Sequence, residues 1–192
     1  MKQDIHFIGI GDAGTNVLEY FYYFLGFEAK YTYINDCLRV YLPNEIEYFN
    51  FNSEVKWSKI RNNQIPLKAY TDFKLNEDLK KIFKEGDTYV LLTGLGGFIG
   101  TILTQKIITY LESQKIRFLL IASLPFQFEH KEKIKNAFYF VGKNNMKSNF
   151  LYYDLGRLKL KLGKVKVQYA LDKANKEFLK LFYKGIVELD SL

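Results

Sequence analysis

The sequence contains little cysteine, proline and histidine, and it has no long hydrophobic run. The single cysteine, Cys37, excludes an internal disulfide framework. The two histidines, His6 and His130, lie far apart without cysteines or carboxylates at metal-ligand spacing, so no metal site is predicted. The apolar stretch FLLIASLPF is broken by proline and is shorter than the roughly 18 to 20 residues of a membrane span. With no secretory signal at its start, the sequence predicts a cytoplasmic protein without a transmembrane segment.

A length of 192 residues fits one domain, 1–192, which is large enough to bury a hydrophobic core. Lysine dominates the charge, and the formal net charge is +7 with a pI near 9.2. Such a charge is compatible with an anionic partner. Most lysines stand beside glutamates, as in KLNEDLKKIFKEG, which is typical of a solvated helix face, and no RNA-binding motif accompanies the aromatic residues. Nucleic acid is therefore not the favoured partner.

Strand and helix patterns alternate along the chain. The predicted strands are DIHFIGI, YTYIN, DTYVLLT and IRFLLIASL. The predicted helices are GTNVLEYFYYFLG, NEDLKKIFKEG with an asparagine cap and a glycine stop, GTILTQKIITYLESQ, and a charged helix to about Asn136. The segment from Leu42 to Ala69 has no steady period and is predicted as loops and short elements. FLYYDLGRLKLKLGKVKV is predicted as part strand and part turn, and QYALDKANKEFLKLFYKGIVELDSL as a long helix.

This alternation predicts an α/β, Rossmann-like domain with three layers. A mainly parallel sheet would be covered by helices on both faces, and the domain would end in the long helix. Ligands of such sheets bind at the carboxyl ends of the strands. Two glycine-rich turns follow predicted strands here, so both are expected at the edge of the sheet where a ligand binds.

The first turn, GIGDAG at Gly9–Gly14, matches the pattern G-x-G-x-x-G between a strand and a helix. The first glycine permits a tight turn, the second lets the backbone approach a phosphate, and the third lets the helix pack on the strand. The amide groups at the start of the helix would then point at the anion, aided by the helix dipole. The turn therefore predicts a phosphate-binding loop.

The second turn, TGLGGFIGT at 93–101, has four glycines within seven residues at the end of a buried strand. Glycine loses more conformational freedom on folding than any other residue, so this cluster needs a physical reason. The usual reason is close approach of the backbone to a ligand, and the amides of such a turn can form a second anion-binding nest. Two nests on neighbouring strands would hold a polyphosphate from both sides.

The pattern of the first turn also has a second interpretation. In an NAD-type Rossmann oxidoreductase, an acidic residue at the end of the second strand holds the adenosine ribose. Asp36, in YIND, occupies roughly that place. An ordinary Rossmann domain, however, does not need a second glycine loop as elaborate as TGLGGFIGT.

The pair of glycine loops resembles that of the tubulin and FtsZ family, in which the first reads G-x-G-G-x-G-x-N and the second G-G-G-T-G-T/S-G. Here they read GIGDAGTN and GGFIGTI. YIND, PFQFEH, FLYYDLGRL and ALDKANKEFLKLFYKGIVEL are similar to further segments of the family, so the resemblance covers most of the chain. It implies that the ligand is a guanine nucleotide, GTP or GDP, with or without Mg²⁺.

The resemblance also implies which residues bind the nucleotide. In the first loop they are Gly9, Gly11, Asp12, Ala13, Gly14 and Asn16. In the second loop they are Gly94, Gly96, Gly97, Phe98, Gly100 and Thr101. Outside the loops they are Asn35, Pro125, Glu129 at the ribose, Lys133 where FtsZ has an arginine, and Asn175 at the guanine. Spacing back from Gly185 points to Lys176 instead of Asn175, and both remain open.

Two departures from the family pattern bear on catalysis. Phe98 and Ile99 replace a glycine and the threonine of the second loop, so a hydroxyl near the terminal phosphate and its magnesium is missing. The sequence ends at Leu192, where the central helix of FtsZ leads into the acidic loop that completes the catalytic site of a neighbouring subunit. We therefore expect no catalytic residue in this sequence and, at most, a weak GTPase.

These observations predict a guanine-nucleotide-binding protein that acts in or on a cytoskeletal or cell-division-type filament. Its expected protein partners are further copies of itself or a full-length FtsZ/tubulin-like protein. Two alternatives stay open. One is a scaffold that has lost nucleotide binding, and the other is the NAD-type oxidoreductase described above.

Overall fold

The described part of the chain forms a six-stranded sheet. The computed structural model describes residues 5–26, 28–51, 74–144, 146–162 and 166–190. The strands are β1 (Ile5–Ile10), β2 (Lys30–Asn35), β3 (Ile46–Asn50), β4 (Thr88–Gly94), β5 (Arg117–Leu124) and β6 (Phe150–Asp154). Their order across the sheet is β3-β2-β1-β4-β5-β6, and each described pair of neighbours is parallel. The predicted α/β class with a parallel sheet is confirmed.

Helices cover both faces of this sheet. They are α1 (Gly11–Phe24), α2 (Glu77–Lys80), α3 (Thr104–Ser113), α4 (Lys131–Asn144), α5 (Leu155–Leu162) and α6 (Val167–Asp190). A π-helical turn, Ile99–Leu103, leads into α3. The chain thus ends in the long helix that the sequence predicts. Within the described residues, no helix combines the length and apolar character that crossing a membrane would require.

Alternate residues of each central strand pack into separate cores. On β4, Val90 and Leu92 pack in the core that contains side chains of α1 and α6. Leu91, between them, packs in the core that contains side chains of α2, α3 and α4. This alternation follows from the two-residue period of a strand, and it explains why β4 is apolar at consecutive positions. The result is the three-layer arrangement expected from the sequence.

The prediction of strand and turn for FLYYDLGRLKLKLGKVKV is wrong in its second half, because LGRLKLKL forms α5. Asp154 ends β6, and its Oδ1 accepts a hydrogen bond from the Gly156 amide at 2.8 Å. A carboxylate in this place satisfies an amide that has no partner within the helix. Leu155 and Leu158 are then buried against α6. Capping and this apolar pair explain the helix.

Other predicted boundaries shift by a few residues. The charged helix predicted to end at about Asn136 continues as α4 to Asn144. The predicted helix NEDLKKIFKEG has its asparagine cap, since Asn76 Oδ1 accepts from the Asp78 amide at 2.7 Å, but the α-helix itself stops at Lys80. In the segment Leu42–Ala69, strand β3 is one of the expected short elements, and positions 52–69 lie outside the described residues.

His6 makes the stability of the fold dependent on pH. This side chain is buried on β1, where its Nε2 lies 2.8 Å from Thr32 Oγ1. Burial, followed by the charge of Lys30, lowers the pKa of the imidazole from 6.5 to about 4. Because the folded-state pKa is the lower one, this contribution is fully present above pH 6.5 and is lost as the pH falls towards 4. We expect His6 to account for a loss of about 3 kcal/mol of unfolding free energy across that window.

Urea unfolding at a series of pH values measures this effect. His6→Gln keeps a side-chain hydrogen-bond donor but cannot be protonated, so we expect a flatter dependence of unfolding free energy on pH between 6.5 and 4. An equally steep dependence in the variant and the wild type would show that another group is responsible.

Candidate functional site

The two glycine loops lie side by side at one edge of the sheet. The first loop, Gly9–Asn16, spans the end of β1 and the start of α1, and the second loop, Gly94–Thr101, begins at the last residue of β4. These strands are neighbours in register, with Ile10 beside Thr93. The chain moves from β1 to β2 on one side and continues from β4 to β5 on the other, so the loops flank the point where the strand order reverses. Open parallel sheets bind their ligands at this point.

Most of the first-loop glycines are required by packing. A Cβ at Gly9 would lie 2.9 Å from the carbonyl oxygen of Gly14, and a Cβ at Gly14 would overlap the carbonyl oxygen of Leu92. Gly11, the first residue of α1, has a φ of +68°, which disfavours a side chain. These glycines bring the start of α1 close against β4, as predicted for the pattern G-x-G-x-x-G.

The second loop differs, because one of its glycines is not required by the protein. A Cβ at Gly94 would contact the Cβ of Ala13, and one at Gly100 would overlap the carbonyl oxygen of Gly94. Gly96 has a φ of +113°. Gly97, by contrast, would place a Cβ in open space, with no atom within 4 Å, and its φ is not positive. Of the four glycines, Gly97 is therefore the one with room for a ligand beside its backbone.

Threonine hydroxyls hold the second loop in place. The Oγ1 of Thr93 is within hydrogen-bonding distance of the carbonyl oxygen of Ile10, at 3.2 Å, and of that of Gly100, at 3.0 Å. The Thr101 hydroxyl accepts a hydrogen bond from the Gly96 amide at 2.7 Å. Thr101, which the family resemblance assigns to the nucleotide, thus has a structural role as well. These buried bonds connect the two loops and give them a defined geometry.

Arg39 and three of the predicted nucleotide-binding residues, Asp12, Asn16 and Asn35, form a hydrogen-bonded cluster. Its guanidinium forms an ion pair with Asp12 at 2.7 Å and donates to Asn16 Oδ1 at 2.8 Å. Asn35 Nδ2 donates to the same Asp12 carboxylate at 2.9 Å. Burial acts to lower the pKa of Arg39, but hydrogen bonds to Asp12 and Tyr41 outweigh burial and raise the pKa. A permanent positive charge therefore lies beside the start of α1.

The sequence gives a weak signal for Arg39, which stands three residues after Asp36 in the turn that follows β2. The structure shows that this turn folds back over α1, because the Arg39 side chain reaches Asp12 and Asn16 on that helix. The Arg39 amide also donates to the hydroxyl of Tyr33 on β2 at 2.9 Å. The contacts with α1 depend on how β2 pairs with β1, and no local sequence pattern indicates them.

We expect Arg39→Ala to lower the unfolding free energy by about 1 to 2 kcal/mol, because it removes the side-chain hydrogen bonds that the guanidinium makes to Asp12, Asn16 and Tyr41. Arg157→Ala is the matched control. Arg157 is 83% exposed and pairs with Asp154 at 3.5 Å, so a change within about 0.5 kcal/mol is expected. Urea unfolding compares the two, and equal losses would contradict a special role for Arg39.

Glu129 and Lys133 lie beside the second loop, where α4 begins. The Glu129 carboxylate accepts a hydrogen bond from the Phe126 amide at 2.9 Å and is 3.3 Å from Lys133 Nζ. The carbonyl oxygen of Lys133 lies 2.8 Å from where a Cβ of Gly96 would be. Pro125 is buried just after β5. The segment PFQFEH thus connects β5 to α4, and the first turn of α4 packs against the second loop.

A cavity of about 370 Å³ opens between α1, the end of β5 and α6. Its size is at the lower end of the range for small-molecule sites. Polar and aromatic groups in its lining include Asn16 and Tyr20 of α1, Ser123 of β5, and Asp172 and Asn175 of α6, with Ala13 at the first loop. The structure thus brings Asn175 to the same cavity as Ala13 and Asn16. Lys176 is exposed and is not among the lining residues, so of these two residues Asn175 is the one that lines the cavity.

Phe98 and Ile99 give the second loop an apolar side. Both side chains are partly buried against the core that contains α3 and α4. The Ile99 Cγ2 lies 3.3 Å from where a Cβ of Gly11 would be, so this methyl group lies beside Gly11, where α1 begins. The place that a hydroxyl has in the family pattern is therefore hydrophobic. Among the described residues, no group of three or more His, Cys, Asp or Glu side chains is placed to hold a metal ion.

Solved structures with the same fold identify the architecture. FtsZ from M. jannaschii matches with a TM-score of 0.65 and 20% identity over 93% of this chain and 52% of that chain. CetZ from Methanosaeta thermophila matches with a TM-score of 0.68 and 18% identity over 96% and 53%. The phage tubulin PhuZ, solved with GDP, matches with a TM-score of 0.61 and 16% identity over 98% and 57%.

No protein-family model and no curated protein matches the sequence. The chain spans between about half and three fifths of the length of the solved structures it resembles. Their identity to this chain is low, but each match covers between 93% and 98% of it. The chain therefore has the FtsZ- and tubulin-like fold, over the part of these proteins that carries the parallel sheet and the long helix.

Proposed function

We propose that the protein binds a guanine nucleotide at the switch point between β1 and β4 and acts in or on a filament of the FtsZ or tubulin type. The observation that carries this proposal is the pair of glycine loops on adjacent parallel strands, with open space at Gly97 and a cavity beside the first loop. Two neighbouring anion sites and one cavity correspond to the phosphates and the base of a nucleotide.

In this proposal the parts of the nucleotide have separate partners. The amides at the start of α1 and the backbone around Gly97 hold the phosphates, aided by the dipole of the helix. Arg39 offsets the charge of Asp12, which would otherwise repel a phosphate. Asn16 and Asn175 face the base in the cavity, and Tyr20 offers it an aromatic wall. Glu129 and Lys133 remain the proposed contacts at the ribose side.

We further propose that hydrolysis by the chain alone is slow or absent. Hydrolysis of a terminal phosphate needs a positioned water and stabilisation of the developing charge, usually with magnesium. Asp12 and Glu129, the carboxylates beside the two loops, are each ion-paired within the chain, and Ile99 places a methyl group where the family pattern has a hydroxyl. In the cytoplasm the partners would be further copies and a full-length FtsZ/tubulin-like protein, and only the full-length protein would supply the catalytic group.

Two observations favour other functions. Ile99 lies close to Gly11 and narrows the space between the loops, which suits a scaffold that binds proteins but no nucleotide. The order of the strands is also that of dinucleotide-binding domains, and Asp36 follows β2, so NAD belongs among the ligands to be tested.

A thermal-shift titration with GTP, GDP, ATP and NAD, each with and without Mg²⁺, separates these functions. A ligand that binds only the native state must raise its apparent stability. We expect a rise with guanine nucleotides that exceeds the rise with ATP. A rise with NAD alone would support the oxidoreductase, and no rise with any ligand at concentrations well above the micromolar range would support the scaffold.

A further inference from the structure

The outward face of α4 carries a continuous band of large apolar side chains and lysines. We call it the α4 stripe. Its members are Phe128, Lys131, Lys135, Phe138, Tyr139, Lys143 and Met146. The apolar members are exposed by 60% at Phe128, 58% at Phe138, 65% at Tyr139 and 91% at Met146. Exposed apolar residues are ordinary when they are scattered, but a contiguous band indicates an interaction surface.

The stripe is separate from the face by which α4 packs on the sheet. Ala137, Phe140 and Asn144 are buried on that inner face. Positions 131, 135, 139 and 143 are each four residues apart, and position 138 is three residues after 135, so these side chains share the outside of the helix. Phe128 extends this line before the helix begins, and Met146 extends it beyond the helix end. The described residues leave this outer line exposed to solvent along its whole length.

The charge of the segment is positive. Residues 128–146 contain four lysines and two glutamates, and both glutamates form ion pairs, Glu129 with Lys133 and Glu132 with Lys135. Lys131 and Lys143 have no carboxylate partner among the residues that the structure describes. The net charge of the chain, +7, has the same sign. A complementary partner is therefore anionic and also accepts aromatic side chains.

We propose that the α4 stripe docks on an anionic phospholipid membrane surface. Aromatic rings partition to the level of the lipid headgroups, and lysines close to the surface are attracted by anionic lipids. Lysine is depleted from protein–protein interfaces, whose energetic centres are rich in Trp, Tyr and Arg. The stripe has no Trp and no Arg, and it alternates Phe and Tyr with Lys, which favours lipid over an acidic protein. This proposal does not depend on nucleotide binding.

Co-sedimentation with unilamellar vesicles tests the proposal. One set contains phosphatidylcholine alone, and the other contains equal parts of phosphatidylcholine and phosphatidylglycerol. We expect the wild-type protein to bind the anionic vesicles, to bind the neutral ones much more weakly, and to be released by high salt. The variant Tyr139→Ser/Lys131→Glu is expected to lower the partition coefficient on anionic vesicles roughly 30-fold, since it loses an aromatic anchor and reverses one charge.

The matched control is Tyr183→Ser/Lys176→Glu, which makes the same two changes at exposed positions of α6. It is expected to bind like the wild type, and circular dichroism and thermal unfolding verify that both variants are folded. An equal loss in the control, no binding of the wild type to anionic vesicles, or equal binding to both lipid sets would overturn the proposal. So would binding to soluble polyglutamate without binding to vesicles, which would identify an acidic protein as the partner.

Discussion

Replacing Gly97 with aspartate is expected to lower the affinity for a guanine nucleotide about 100-fold, or about 2.7 kcal/mol, and to leave the fold intact. The physical reason is that Gly97 has no protein atom within 4 Å of an added Cβ, so a side chain fits there without strain. A carboxylate in that space would lie close to the phosphates, and at an effective dielectric constant of about 20 two like charges roughly 5 Å apart repel by about 3 kcal/mol.

Isothermal titration calorimetry with GDP measures the loss, and urea unfolding without ligand verifies the stability. Gly142→Asp is the control, because Gly142 is exposed on α4 and its Cβ would also meet open space, so it adds the same charge away from the loops. If both variants bind GDP like the wild type, the phosphates do not lie beside Gly97.

Replacing Gly14 with alanine is expected to lower the unfolding free energy by about 3 kcal/mol or more, because the added methyl group would overlap the carbonyl oxygen of Leu92. The methyl group would be attached directly to the backbone of α1, and the carbonyl oxygen belongs to the backbone of β4, where the helix meets the sheet. Neither can move without disturbing the hydrogen bonds of β4 or the packing of α1. To avoid this clash, α1 would have to shift away from the sheet in the variant, which would weaken its packing.

Gly142→Ala is the matched control for this stability effect. It introduces the same methyl group in an exposed helical position, where alanine is favoured over glycine, so a gain of about 0.5 to 1 kcal/mol is expected. Chemical denaturation compares both variants with the wild type. A Gly14→Ala protein as stable as the wild type would mean that α1 does not approach β4 as closely as the structure shows.

The Gly97 and Gly14 variants distinguish two reasons for a glycine: space for a ligand and close packing within the protein. The sequence alone does not separate these reasons. The glycines of TGLGGFIGT indicate that the backbone lies close to other atoms, but they do not indicate whether those atoms belong to a ligand or to the protein. At Gly94 and Gly100 the neighbour is the protein itself, and at Gly96 the backbone has a positive φ. Only Gly97 retains the original explanation of a ligand. The number of glycines in a loop thus overstates how many of them serve binding.

The contacts of Arg39 and the helix α5 are not predicted by the local sequence pattern. The contacts of Arg39 with Asp12 and Asn16 connect residues that are 27 and 23 positions apart. They exist because β2 pairs with β1 and because the turn after β2 folds over α1. LGRLKLKL was ambiguous because alternating leucine and lysine suits a strand and a short helix alike. The cap at Asp154 and the contact with α6 decided in favour of the helix.

The sequence by itself determined the alternation of the main strands and helices, the mainly parallel sheet, the long final helix and the position of both loops at the ends of β1 and β4. These features follow from hydrophobic period and turn chemistry, which act over a few neighbouring residues. Only the tertiary structure decided which glycine faces open space, which cation pairs with Asp12, and that Asn175 shares a cavity with Asn16. These properties depend on side chains and backbone brought together from distant parts of the chain, and their partners are set by how the elements pack.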